Sequence, residues 1–165
     1  MTVRPAAEDD VDGALAVFEA VVDEGVWLGT EPGFDREERR ERFLESIQDE
    51  RRELLVAETD GGGIVGMASL EVARYGVAGL GMCVAARWRG QGVGGALVAG
   101  AIEAARRLGA HKLFLEVWPH NDAAIRLYRR YGFAEEGRKR RHYRRGNGEL
   151  WDSVMMGLVL EEESA

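Results

Sequence analysis

Four glycines and a guanidinium stand together in Arg89-Gly90-Gln91-Gly92-Val93-Gly94-Gly95, between the apolar run Leu80–Val84 and a helix-like run, Ala96–Leu108. Glycine lets the backbone turn sharply and approach a ligand closely, and the first amides of a helix have no partners inside it and carry the positive end of its dipole. Such a junction grips an anion, above all a phosphate, through main-chain N–H groups. Read literally, Gly90–Gly95 also satisfies G-x-G-x-x-G, with Glu116 near the place of a ribose-binding acid. The context argues against a dinucleotide fold. That fingerprint opens the first strand of a long parallel array, whereas here it stands in mid-chain and is followed by a short segment ending in a hairpin. No Lys-Ser or Lys-Thr follows the glycines, so a P-loop is excluded.

The elements that must position this loop follow from apolar periodicity and turn residues. Thr2–Arg4 reads as a short strand, and Asp9-Asp10 as the cap of a helix carrying Val11, Ala14, Leu15, Phe18 and Val22. After the loop Gly25–Phe34, Asp35 and Glu38 form a capping box for a second helix with Phe43, Leu44 and Ile47, ending near Asp49. Leu54–Thr59 and Ile64–Val72 flank Asp60-Gly61-Gly62-Gly63 as a hairpin, and Ala78–Val84 is the next strand. The helix after the glycines runs to Gly109 and Lys112–Val117 is a short buried strand, completing a β-α-β unit. A helix capped by Asn121 or Asp122 ends at Tyr131-Gly132, and Phe133–Tyr143 and Leu150–Leu160 form strands around Gly146-Asn147-Gly148.

The 165 residues, 45% hydrophobic and 31% charged, predict one domain over residues 1–160 and an acidic tail over 161–165. No run approaches the ~20 apolar residues that cross a bilayer, and the amino terminus lacks a secretion signal, so a cytoplasmic protein without a membrane partner is expected. A single cysteine, Cys83, excludes an internal disulfide and a thiolate zinc cluster. His111, His120 and His142 have no metal-ligand spacing, so no metal is expected. A net charge of −7 argues against nucleic acid as the main partner. The basic run Arg138, Lys139, Arg140, Arg141, Arg144 and Arg145 reads either as a field that steers an anionic cofactor or as the solvated face of a hairpin.

Arg89-x-x-Gly92-x-Gly94 after a strand resembles the acyl-coenzyme A loop of the GNAT superfamily of N-acyltransferases. Asn121-Asp122-Ala123-Ala124-Ile125-Arg126-Leu127-Tyr128, closed by Tyr131-Gly132-Phe133, resembles that family's second block, in its order and spacing. The likeness covers Ala78–Leu160, and the first seventy residues match only in the order of their elements. It implies an α/β (α+β) fold: a mixed, mostly antiparallel sheet of about seven strands with a central splayed parallel pair and about four helices. It also implies acetyl-CoA as co-substrate and, from the family's frequent dimers, a homodimer. The pantetheine arm would lie between the strands ending at Val84 and Val117. Free backbone groups of Met82, Cys83 and Val84 would bond it and hold the oxyanion, and the amides of Gly90, Gln91, Gly92, Val93, Gly94 and Gly95 would hold the pyrophosphate, with Arg89 adding charge.

Acyl transfer needs a neutral amine, and an alkyl amine with a pKa of about 10 is mostly protonated at neutral pH, so a group must accept a proton. Glu116 is the first candidate. It shares a strand face with Phe114 and Trp118, an apolar setting that would raise its pKa, and it matches a catalytic glutamate of the family's ribosomal-protein alanine acetyltransferases; the alternative is a structural ion pair. Glu71 or Glu31 acting through water are further candidates. For the departing thiolate, Tyr128 is the proton donor that the resemblance implies; its helical spacing alone would read as a core aromatic. Asn121 is a helix cap that would also reach the cofactor. Cys83 reads as an inert buried thiol rather than a nucleophile.

The resemblance implies that the loop after the first helix, with Trp27, Leu28, Glu31 and Phe34, walls the acceptor pocket, and Arg74 and Tyr75, before the central strand, are expected near the same mouth. They suggest an apolar amine bearing a carboxylate: a small amino acid or related primary amine. The alternatives are a protein amino terminus, which an open groove at Trp27 would favour, a regulatory module that binds acetyl-CoA without turnover, and RNA on the arginine run.

Overall fold

The structure, a computed structural model, describes residues 1–160; the expected acidic tail, 161–165, lies outside them. In chain order the elements are β1 (Thr2–Pro5), α1 (Val11–Asp23), α2 (Arg36–Gln48), β2 (Arg52–Glu58), β3 (Ile64–Val72), β4 (Val77–Val84), α3 (Val93–Arg107), β5 (Lys112–Val117), α4 (Asp122–Arg130), β6 (Ala134–Arg144) and β7 (Leu150–Val159), with short 3-10 turns at Glu8–Asp10 and Ala86–Trp88. The seven strands form one sheet in the order β1-β2-β3-β4-β5-β7-β6. Every neighbouring pair is antiparallel except β4 and β5.

The β4–β5 pair is the mechanical centre. It is hydrogen-bonded only from Val77–Gly79 against Lys112–Phe114, while β4 stays paired with β3 as far as Val84 and β5 with β7 as far as Val117. Beyond Gly79 the two strands part, and the facing edges from Leu80 to Val84 and from Leu115 to Val117 have no ladder between them. Backbone groups at such an edge keep their hydrogen-bonding capacity for a ligand.

Apolar residues fill both faces. On one, α3 and α4 cover a core containing Leu97, Val98, Ala101, Leu113, Leu115, Tyr128 and Met156. On the other, α1 and α2 cover Leu54, Val56, Met67 and Cys83 with Val11, Leu15, Phe18, Val22 and Phe43. Alternation along β4 assigns Ala78 and Leu80 to the first core and Cys83 to the second.

Local signals are met with three differences. Asp10 stands at the N-cap of α1 but gives it no side-chain bond, because its carboxylate accepts the Ala7 amide and both Arg4 Nη groups. Asp35 Oδ1 accepts the Glu38 amide at 3.0 Å, whereas the Glu38 carboxylate turns to Arg42, leaving half of the expected capping box. And α3 begins at Val93, so the last residues of the glycine motif form its first turn.

Candidate functional site

Gly92 caps α3 in the left-handed conformation, φ 87°, which glycine adopts without strain. The first intrahelical bond is Ala96 N–H to the Gly92 carbonyl, so the amides of Val93, Gly94 and Gly95 precede the ladder and are open to a ligand. Gly94 also meets a packing limit: a Cβ there would lie 3.0 Å from Leu127 Cδ2 on α4. Glycine at this point lets α3 and α4 close to the spacing that makes one cleft of the two sequence blocks.

That cleft, a cavity of about 510 Å³, is lined by Met82, Cys83, Val84, Arg89, Gly90, Gly92, Gly94 and Gly95 on one side and by Asn121, Arg126, Leu127, Tyr128 and Arg130 on the other, with Trp27 and Leu28 over its mouth. Asn121 caps α4, its Oδ1 accepting the Ala124 amide at 3.2 Å, and the cap is what seats it there. Tyr128, 8% exposed, packs on Phe133; burial, with a smaller push from Cys83, raises its phenol to about 12, so it holds its proton at neutral pH. Burial likewise pushes the Cys83 thiol up to about 12, as expected of an inert core cysteine.

The side chains of three motif residues are engaged within the protein itself. The Arg89 guanidinium is committed: Nη1 and Nη2 fork the Glu24 carboxylate at 2.8 and 2.6 Å, the group lies over the Trp27 ring, and Nε donates to the Val84 carbonyl at 3.0 Å. Its charge is therefore met by Glu24, and the Val84 carbonyl is not free. Gln91 turns away to donate to the Arg87 carbonyl at 2.7 Å. Val93 buries its side chain in the core and offers only its amide. The cations missed in the sequence are Arg126 and Arg130, one turn apart on α4 and both lining the cleft. The signal in the sequence is their i,i+4 spacing, which puts both guanidinium groups on one face of α4.

On the α2 side of the gap lies a second cavity, about 700 Å³, lined by Arg39, Arg42, Phe43, Glu45 and Arg52, by Ser69 and Glu71 of β3, by Gly79–Gly81 of β4 and by Phe114–Glu116 of β5. Gly79 and Gly81 stand opposite Glu71 and Ser69 in the β3–β4 register and leave this floor without side chains. The two cavities are lined by adjoining stretches of β4, Gly79–Gly81 in one and Met82–Val84 in the other.

Glu116 faces the second cavity, and of its two expected settings it has the ion pair and not the apolar one. Lys139 Nζ lies 2.5 Å from Oε1, and the Tyr143 and Ser153 hydroxyls each donate to Oε2 at 2.7 Å. Burial raises the carboxyl pKa, but these three hydrogen bonds and the Lys139 charge outweigh it and hold the group below its ordinary value. The correction has a topological cause: β7 pairs with β5 and brings β6 beside it, so donors from two later strands reach a face that the sequence of β5 alone presents as apolar. Tyr143 is pushed up to about 12 by burial and by Glu116, and stays protonated.

The loop after α1 is fastened across the same end of the sheet. Buried Arg145 lies over Trp118 and Trp151 at 5.3 and 4.6 Å, donates to the Gly29 carbonyl at 3.1 Å and pairs with Glu31 at 2.9 Å; His120 Nε2 lies 2.8 Å from the Val26 carbonyl. Glu31 is thus half of an ion pair. Phe34 packs edge-on against Phe18 at 5.4 Å, in the core behind the loop. Arg74 and Tyr75 are exposed in the turn before β4, beside the zipped end where Val77 pairs with Lys112, and line neither cavity. They stand in the turn that joins Val72 to Val77, a few residues beyond Glu71 and Gly79, which line the second cavity. The basic run divides too, Lys139 and Arg145 pointing inward, Arg138 pairing with Asp152, and Arg140, Arg141 and Arg144 exposed. Among the described residues no three His, Cys, Asp or Glu side chains are grouped to hold a metal ion, and no helix is long and apolar enough to cross a membrane.

Comparisons with known proteins agree with this geometry. Residues 18–133 match the profile of the acetyltransferase (GNAT) family. The L-amino acid N-acetyltransferase AaaT of Escherichia coli is 37% identical over 110 residues, 64% of this chain and 67% of that protein. The crystal structure of a ribosomal-protein-alanine N-acetyltransferase from Brucella melitensis superposes with a TM-score of 0.87 at 31% identity, over 97% of this chain and 100% of that one. A phosphinothricin acetyltransferase from Sinorhizobium meliloti, crystallised with acetyl-CoA, shares the fold at a TM-score of 0.87 and 22% identity, over 98% of this chain and 89% of that one. With a splayed β4–β5 pair, open amides at the start of α3 and a family match across most of its length, the chain belongs to the GNAT acetyltransferase family and is an N-acetyltransferase that uses acetyl-CoA.

Proposed function

We propose that the protein acetylates the primary amine of a small molecule, an amino acid or close relative, by direct attack on the acetyl-CoA thioester. The observation that carries this reading is that two cavities are lined by adjoining stretches of β4, Gly79–Gly81 and Met82–Val84, just where its ladder with β5 ends. The pyrophosphate rests on the amides of Val93–Gly95 with Arg126 and Arg130 beside it, and the thioester reaches Met82–Cys83. The amine enters from the cavity floored by Gly79 and Gly81.

In that arrangement the amine nitrogen bonds to the acetyl carbon, the C–S bond breaks, and the electron pair leaves on sulfur. A free backbone N–H of β4 near Met82 and Cys83 faces the developing oxyanion. The amine reacts in its neutral form, its ammonium proton having gone to solvent; Tyr128, protonated and lining the cleft, donates to the departing sulfur and is reprotonated by the proton that the nitrogen sheds on forming the amide, so the products are an amide and the free thiol. Glu116, ionised and held by three donors, accepts a hydrogen bond from the amine and orients it; its proton affinity is too low for it to retain the proton. Burial keeps Cys83 protonated, which supports attack by the amine over an acyl-cysteine route.

The size of the acceptor follows from the loop. Fastened by Arg145 and His120, residues 26–31 roof the open end of the sheet and favour a compact molecule over a peptide chain. Purified protein with acetyl-CoA and a panel of amines should release thiol with small amino acids. Turnover confined to peptides beginning with alanine would replace this reading with protein amino-terminal acetylation, and no thiol release with either class would end it.

A further inference from the structure

The second cavity is lined by six charged side chains: Arg39, Arg42, Glu45, Arg52, Glu71 and Glu116. Five have an ionic partner. Arg42 pairs with Glu38, Arg52 with Glu45, Asp49 and Glu71, and Glu116 with Lys139. Arg39 has none among the described residues. Its guanidinium lies 4.7 Å from the centroid of the Phe18 ring, and Nη2 reaches only the Thr30 hydroxyl, at 3.4 Å. It is half-buried, and burial is the first cause of a lowered pKa, with Arg42 adding repulsion. A partly desolvated guanidinium without an ionic partner, in a cavity whose other charged side chains each have one, favours an anion, and its planar fork matches a carboxylate.

We infer that Arg39 binds the carboxylate of the acceptor, which makes the enzyme selective for amines that carry an acid group. The inference rests on the proposed acetylation of a small amine and supplies its specificity residue. Arg39 and Glu116 line one cavity, and between them the β4 floor is bare at Gly79 and Gly81. An amino acid lying there places its carboxylate on a cation and its amine beside an anion at the gap. Phe18 holds the guanidinium plane, and that residue is itself fixed by Phe34 and Phe43. The sequence put this role near Arg74; helix α2 brings Arg39 to the cavity instead.

The test is steady-state kinetics on the twenty common L-amino acids and their decarboxylated amines, with wild type, Arg39→Gln, Arg39→Lys and Arg39→Ala. For the best amino acid, Arg39→Gln and Arg39→Ala should raise KM roughly 10- to 100-fold, as expected for loss of a hydrogen bond to a charged group, and Arg39→Lys should raise it less. KM for the matching amine without a carboxylate, and for acetyl-CoA, should stay within about twofold. Equal losses for both members of the pair, no loss for either, or wild-type preference for the decarboxylated amine would overturn the inference while leaving acetyl transfer standing. No transfer to any member of the panel would remove the underlying reading as well. Unchanged acetyl-CoA binding by Arg39→Gln separates a specificity effect from misfolding.

Discussion

The two sides of the β4–β5 gap are built differently. The proposed acetyl-CoA side comes mainly from two short stretches, Met82–Gly95 and Asn121–Arg130, with Trp27 and Leu28 beside them, and its glycine stretch offers main-chain groups. The acceptor side takes single residues from α2, the start of β2, β3, β4 and β5 and works with side chains whose charges are met by partners distant in sequence. A ligand held by backbone requires local sequence of a narrow kind, glycines and a helix start. One held by side chains requires only that the fold bring suitable groups together.

The sharpest break between the two sides is expected at Tyr128. Tyr128→Phe should lower kcat by roughly 10²- to 10³-fold, within the span of general acid catalysis, with KM for acetyl-CoA nearly unchanged. A change in acetyl-CoA affinity with kcat preserved would make it a packing aromatic beside Phe133. Next, Glu116→Gln should reduce kcat/KM for the amine roughly 10- to 100-fold and leave acetyl-CoA binding intact, which a cofactor-side residue would not do. The pH profile sharpens this. Because Glu116 is held below its ordinary pKa, it is ionised from weakly acidic pH upward, so kcat/KM for the amine should climb toward the amine's own pKa with no carboxylate limb near neutrality. A limb near pH 6.5 that vanishes in Glu116→Gln would restore the base of raised pKa anticipated from the β5 sequence.

The glycine motif, the Asn121 block and every strand were legible because their signals are local: turn residues, caps and apolar runs. Arg126 and Arg130 were overlooked because a charged helix face ordinarily meets solvent. The sequence of β5 leaves Glu116 open to an apolar setting or an ion pair, and cannot decide between them because Lys139, Tyr143 and Ser153 arrive through β6 and β7. Sequence adjacency to β4 does not say which end of the strand splays, and the register does: Arg74 stands beside the zipped end, outside the lining of either cavity.

Smaller effects test the remaining boundaries. Arg126→Ala with Arg130→Ala should raise KM for acetyl-CoA roughly tenfold, less at high salt, with KM for the amine unmoved. Arg145→Met should lower stability by about 1–3 kcal/mol, read by denaturant titration, through lost packing and the bonds to Gly29 and Glu31. Its peptide-to-amino-acid activity ratio should rise as the roofing loop loosens. Arg74→Ala should change neither KM by more than about twofold, and a larger loss would return that residue to the acceptor side.

The central claim is that donor and acceptor meet through one passage at Gly81 and Met82. A bisubstrate analogue that joins the sulfur of coenzyme A to the nitrogen of the best acceptor through an acetyl linker tests it directly by calorimetry. It should bind at least roughly a hundredfold more tightly than coenzyme A, as linked ligands sharing a continuous site do, and Arg39→Gln should erase much of that gain. Affinity no greater than that of coenzyme A alone would mean that the two cavities do not communicate and would contradict the account.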